Sequence, residues 1–141
     1  MKILVAADGS RYTKRMLAYL AAHEESLGSK QHRFTVLTVV APVPTRAASA
    51  LNNRLVQDYY AGEAERTFKP IRAFFSKQGV DAQFEHRVGN AGEQIATLAR
   101  KGKFDLVMMG SHGHGALARL VMGSVAGRVV ASCEVPVLIV R

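Results

Sequence analysis

At 141 residues, with 48% hydrophobic and 21% charged side chains, the chain is sized for one compact domain and holds too many core-forming residues for general disorder. A single cysteine, Cys133, excludes an internal disulfide framework and suits a reducing cytoplasm, and no apolar run approaches the roughly 20 residues that cross a bilayer as a helix. Nineteen Lys and Arg against eleven Asp and Glu give a formal charge of +8, which favours anionic partners, but the cations are scattered rather than blocked, so neither a basic tail nor nucleic-acid binding is expected.

The apolar run at residues 3–7 is short and unbroken, as expected of a strand covered on both faces, and is too short for a secretory leader. Met16, Leu17, Leu20, Ala21 and Leu27 at helical spacing predict a helix over 11–27, with Ser10 as N-cap and Gly28 closing it. Residues 34–40 (FTVLTVV) read as a second strand, and Pro42 and Pro44 open an irregular stretch to about Asn53. A longer helix follows, with Leu55, Tyr59, Phe68, Ile71 and Phe75 expected on its buried side, Pro70 kinking it and Gly79 ending it. Residues 83–88 predict a more polar edge strand, and Asn90 three residues before Glu93 resembles a capping box that starts a helix to about Lys101. Strands at 106–109 and 135–140 flank a last helix over 124–132, with Cys133 expected on that helix as a small core residue.

Strands alternating with helices at this period predict an α/β sandwich around a mostly parallel sheet, in one domain spanning residues 1–141. In such sheets ligands sit beyond the carboxyl ends of the strands, where strand order reverses. After the first strand stand Asp8, Gly9 and Ser10; Asp8 is suited to a sugar hydroxyl, to a metal or simply to setting the turn. After the fourth stand Gly110, Ser111, His112, Gly113, His114 and Gly115, whose glycines let the backbone approach a ligand and expose an anion-binding set of amides. Ser124 then opens the last helix, where unpaired N–H groups and the helix dipole favour a phosphate.

Other motifs fit less well. Gly113, Gly115 and Ala118 match a loose dinucleotide fingerprint, but on the fourth strand, with too little chain behind it for a dinucleotide half-site. A Walker A loop is absent because no lysine precedes Ser124. Ser111, His112 and Asp105 or Asp8 lack the Gly-x-Ser-x-Gly elbow of a hydrolase. His112 and His114 have neither a cysteine nor a third histidine to complete a zinc set, which leaves at most a magnesium ion carried by phosphates.

Taken together, Gly110-x2-Gly113-x9-Gly123-Ser124 resembles the nucleotide-binding motif Gly-x2-Gly-x9-Gly-[Ser/Thr] of the universal stress protein family. Residues 2–10 (KILVAADGS), 104–113 (FDLVMMGSHG), 123–126 (GSVA) and 135–141 (VPVLIVR) resemble the family in order and spacing, so the likeness covers the whole chain. It implies a three-layer α/β sandwich with a five-stranded parallel sheet in the order 3-2-1-4-5, with helices on both faces. It also implies ATP, with or without magnesium, as the ligand. By position, Gly110, Gly113, Gly123, Ser124 and Val125 would surround the phosphates and ribose, Asp8 would lie beside the adenosine, and Val39 would offer main-chain groups to the adenine edge. Met109, Ser111 and His112, in the same matched segment, complete the expected site. The closing strand would pair with its copy in a second subunit to form a homodimer.

There are three departures from the family pattern. Gly115-Ala116 stands where a Ser or Thr followed by Gly is common, Thr38 replaces a frequent His, and Gly127 costs a helix about 1 kcal/mol against Ala. With no phosphate-loop lysine, water-positioning carboxylate or arginine finger assignable in the motif, efficient hydrolysis is not expected. Arg46 and Arg119 are further candidate phosphate contacts. The expected role is a cytoplasmic, nucleotide-responsive stress-response module. The alternatives are slow ATP hydrolysis or autophosphorylation with Ser111 or Ser124 near the γ-phosphate, or a basic adaptor for protein or nucleic acid with a vestigial pocket.

Overall fold

The computed structural model describes residues 1–27, 30–115 and 121–141. Gly28, expected to close the first helix, and Ala116, Ala118 and Arg119 lie outside the described residues. In chain order the elements are β1 (Lys2–Ala6), α1 (Arg11–Ala22), β2 (Arg33–Val40), α2 (Thr45–Ala50), α3 (Asn53–Lys77), β3 (Ala82–Val88), α4 (Ala91–Lys101), β4 (Leu106–Gly110), α5 (Ser124–Ser132) and β5 (Val137–Val140). The strands form one parallel sheet in the order β3-β2-β1-β4-β5.

Right-handed crossovers explain where the helices lie. The chain moves outward from β1 to β2 to β3, and α1 and α3 cover one face, packing Met16, Leu20, Phe68, Ile71 and Phe75 into one core cluster. It then returns past β1 to β4 and β5, and the reversed direction puts α4 and α5 on the other face, with Ile95, Leu98, Ala126 and Val129 in a second cluster. The unbroken run of β1 serves both clusters: Ile3 and Val5 enter the first, Leu4 and Ala6 the second. Strand order reverses between β1 and β4, which pair from Ile3 with Leu106 to Ala6 with Met109.

Several expectations are corrected by tertiary contacts. α1 ends at Ala22 rather than near residue 27: the C-cap His23 leaves helical geometry, its Nδ1–H competing for the Tyr19 carbonyl while its ring stacks on Tyr19. The stretch after β2 is not wholly irregular, since it contains the short α2. On α3, Leu55 and Tyr59 are 52% and 51% exposed, whereas Val56, Tyr60 and Ala64 are buried with Phe68, Ile71 and Phe75. Tyr59 stands nine residues from Phe68, about two and a half helical turns, so it faces away from the core that Phe68 enters. α3 continues through Pro70, which lies on its exposed side. Cys133 is the half-buried C-cap of α5 rather than part of the helix.

Helix ends follow local chemistry. α3 closes as a Schellman motif: Gly79, at φ +65°, donates to the Ser76 carbonyl and Val80 donates to that of Phe75. The Asn90 side chain accepts from the Glu93 N–H, but Glu93 does not complete a capping box, because its carboxylate pairs with Arg128 across the α4–α5 interface. On the outer face of α3, the hydrogen bond from Arg72 holds the Glu65 carboxyl below the ordinary carboxylate range; this fully exposed pair adds little to stability.

Candidate nucleotide site

The turn after β1 is built from its own side chains. Asp8 Oδ1 accepts from the Ser10 N–H at 2.9 Å and from the Thr13 hydroxyl at 3.1 Å, and Thr13 Oγ1 in turn accepts from the Asp8 and Gly9 N–H groups. Ser10 caps α1 by accepting from the Tyr12 N–H. With Oδ1 committed to this turn, Oδ2 faces the β4 connection, where the His114 N–H lies 3.3 Å away.

The β4 connection is pinned at both ends by Ser111. Its N–H donates to the Val140 carbonyl at 2.8 Å, and its carbonyl accepts from the Gly123 N–H at 2.7 Å. These bonds hold Gly123 against Ser111 and set the start of α5 beside the end of β4. The Gly123 carbonyl accepts from Gly127, so the N–H groups of Ser124, Val125 and Ala126 precede the first intrahelical bond, and no side chain caps them.

These pieces surround a cleft of about 480 Å³ at the carboxyl ends of β1, β2 and β4, within the size range of small-molecule sites. One wall is apolar, formed by Leu37, Val39, Ala91, Ile95 and Ala126. The other is polar, formed by Asp8, the loop from Gly110 to Gly115 and the first residues of α5. Among the described lining residues none is Lys or Arg, so positive potential here comes from main-chain N–H groups and the α5 dipole.

Asp8, Val39, Met109, Gly110, His112, Gly113, Gly123, Ser124 and Val125 all line this cleft. Ser111 does not. It is 1% exposed, and its hydroxyl lies 2.8 Å from His112 Nδ1, so it stands behind the wall and orients the histidine. The burial of Ser111 takes its hydroxyl out of the cleft. His112 also packs against the buried Tyr12 ring at 5.0 Å.

Thr13, Ala91, Ile95 and His114 also line the cleft without having been singled out as ligand-binding. Ala91 and Ile95 reach it because α4 begins at the end of the sheet where the cleft opens; their sequence signal is only that of a capped helix. His114 and His112 do not form a metal pair: His114 Nε2 bonds the Asp8 carbonyl at 2.9 Å, and no cluster of three metal-ligating side chains occurs among the described residues. No helix among them is long and apolar enough to cross a membrane.

A chain from Thermus aquaticus, a universal stress protein encoded beside a QAH/OAS sulfhydrylase, is 32% identical over 140 residues, covering 99% of this chain and 97% of its own. The solved universal stress protein UspA from Lactobacillus plantarum shares the fold with a TM-score of 0.81 at 22% identity, covering 100% of this chain and 97% of that one. A universal stress protein family protein from Arabidopsis thaliana, solved with AMP bound, superposes with a TM-score of 0.71 at 15% identity, covering 99% and 90% of the two chains. The profile of the Universal stress protein family matches residues 1–141, and the chain belongs to that family.

Proposed function

We propose that the chain is an adenine-nucleotide-binding module, with ATP as its principal ligand, that responds to nucleotide as part of a stress response. The observation that carries this reading is the cleft itself, where a glycine loop and the uncapped N-terminus of α5 face one another across the switch point. Phosphates would meet the amides of the Gly113 loop and of Ser124 and Val125. The ribose would lie near Asp8, and the base would lie between Val39 and the apolar wall of Leu37, Ala91 and Ile95. Magnesium, when present, would arrive on the phosphates rather than on a protein ligand set. The AMP bound to the Arabidopsis neighbour supports an adenine nucleotide as the ligand class. A reducing cytoplasm suits the unpaired Cys133.

The test is titration of the purified protein with ATP, ADP and AMP, with and without magnesium, together with mass spectrometry of any ligand that co-purifies. Saturable binding is expected. Well-folded protein with no saturable interaction with any adenine nucleotide overturns the reading. Ser124 is exposed at the cleft, and Ser124→Ala is expected to weaken ATP binding by about 1.5–3 kcal/mol, the scale of a charge-assisted hydrogen bond. An unchanged dissociation constant removes its hydroxyl from the site.

The same reading includes a homodimer through β5. That strand ends the sheet and, among the described residues, pairs only with β4; beside it α5 leaves Val130 49% exposed. Pairing with a second copy would satisfy the open edge and cover this apolar surface. Sedimentation velocity is expected to give a dimer that an Ile139→Lys exchange on β5 dissociates; a wild-type monomer at every concentration rejects the interface.

A further inference from the structure

We propose that His114 is a positioning residue that holds the phosphate loop ready for its ligand and so sets a preference for phosphorylated over unphosphorylated adenosine. The inference rests on the reading of the cleft as an adenine-nucleotide site.

His114 clasps Asp8 twice, across 106 positions of sequence. Its ring Nε2 lies 2.9 Å from the Asp8 main-chain oxygen, and its own N–H points to Asp8 Oδ2 at 3.3 Å. A carbonyl oxygen only accepts hydrogen bonds, so Nε2 carries a proton, and of the two tautomers of the ring the clasp selects Nε2–H. The two partners differ in stiffness. Asp8 is fixed by the Ser10 N–H and the Thr13 hydroxyl, the latter on a buried side chain of α1. Beyond the end of β4 the loop carries Gly113 and Gly115, whose backbone freedom must be lost before the loop amides can converge on an anion. The clasp ties the freer segment to the rigid one before any ligand arrives, which lowers the ordering cost of binding. Only a ligand that uses the loop gains from this. A phosphate does; the base and ribose, seated against Val39, Ile95 and Asp8, do not.

The experiment measures AMP and adenosine affinities by calorimetry for the wild type and for His114→Ala, His114→Gln and His114→Asn, with circular dichroism to confirm folding. The terminal amide nitrogen of glutamine reaches about as far as Nε2, whereas that of asparagine reaches only as far as Nδ1. The Ala and Asn variants are expected to bind AMP roughly three- to tenfold more weakly, the scale of one neutral hydrogen bond, with adenosine unchanged and Gln restoring the wild-type value. Equal losses for both ligands, no loss for either, or rescue by Asn as good as by Gln each overturn the clasp. Nitrogen-15 spectra of the unliganded protein are expected to show His114 protonated at Nε2, and the opposite tautomer overturns the clasp without reference to any ligand. If the wild type binds neither compound, the reading of the cleft fails first and this inference fails with it. If the wild type binds AMP but the variants keep its AMP-to-adenosine ratio, the inference alone fails.

Discussion

Gly113→Val is expected to abolish nucleotide binding, with the dissociation constant raised at least about a hundredfold, roughly 2.7 kcal/mol, while the fold is retained. A Cβ at this position would stand 2.7 Å from Asp8 Oδ2, well inside contact distance. Asp8 cannot easily yield, because its other oxygen is held by Ser10 and Thr13. The loop must yield instead, which pulls the His114 N–H off the carboxylate and carries the loop amides away from the phosphate position. The branched side chain would also fill part of the cleft. Apart from chain neighbours, Asp8 alone among the described residues lies within 4 Å of the added atom, so the core is untouched and the melting temperature should move little. Calorimetric titration beside a thermal melt checks both halves. A variant that binds ATP normally would mean the glycine serves the turn alone.

Gly110→Val, the same exchange three residues earlier, is expected to act on the opposite property. A Cβ on Gly110 would stand 2.6 Å from the Tyr12 Cβ and 3.3 Å from the Tyr12 carbonyl carbon, on the α1 side of the sheet. Those atoms belong to a helix backbone and a 6%-exposed side chain, so relief requires α1 to lift from β4. Overpacking of this kind costs on the order of 3 kcal/mol, and in a chain of this size it lowers the melting temperature by roughly 10 °C. A Gly110→Val protein that melts with the wild type would show that α1 is not seated on β4 as described. The two variants together separate a glycine that admits a ligand from a glycine that admits a helix.

That separation marks where sequence reading stops. The motif spacing singles out Gly110 and Gly113 alike as places where backbone must come close to something. It cannot say what, because the direction of a missing Cβ depends on which element packs above each face of β4. Gly110 pairs with Val140 at the end of the sheet, and its absent side chain faces α1; Gly113, beyond the sheet, has its absent side chain facing Asp8. Ser111 illustrates the same limit. Its place between two motif residues suggests a ligand contact, yet the hydrogen bonds at both ends of its peptide turn its side chain away from the cleft. Leu55 and Tyr59 show the limit on a helix, where apolar character without strict 3.6-residue phase misassigned the buried face.

The order of strands and helices, the double coverage of β1, the Ser10 and Asn90 caps and the glycine connection before Ser124 are all set by short-range patterns, since each depends on residues within a turn or two of one another. The walls of the cleft are not of that kind. His114 meets Asp8, and Ile95 and Val39 come to line one cleft, only after the crossovers have reversed the strand order about β1, because nothing local in either partner encodes a neighbour so far along the chain. The chemistry on offer was therefore written in the sequence, while the geometry that assembles it around one cavity came from the packing of the sheet.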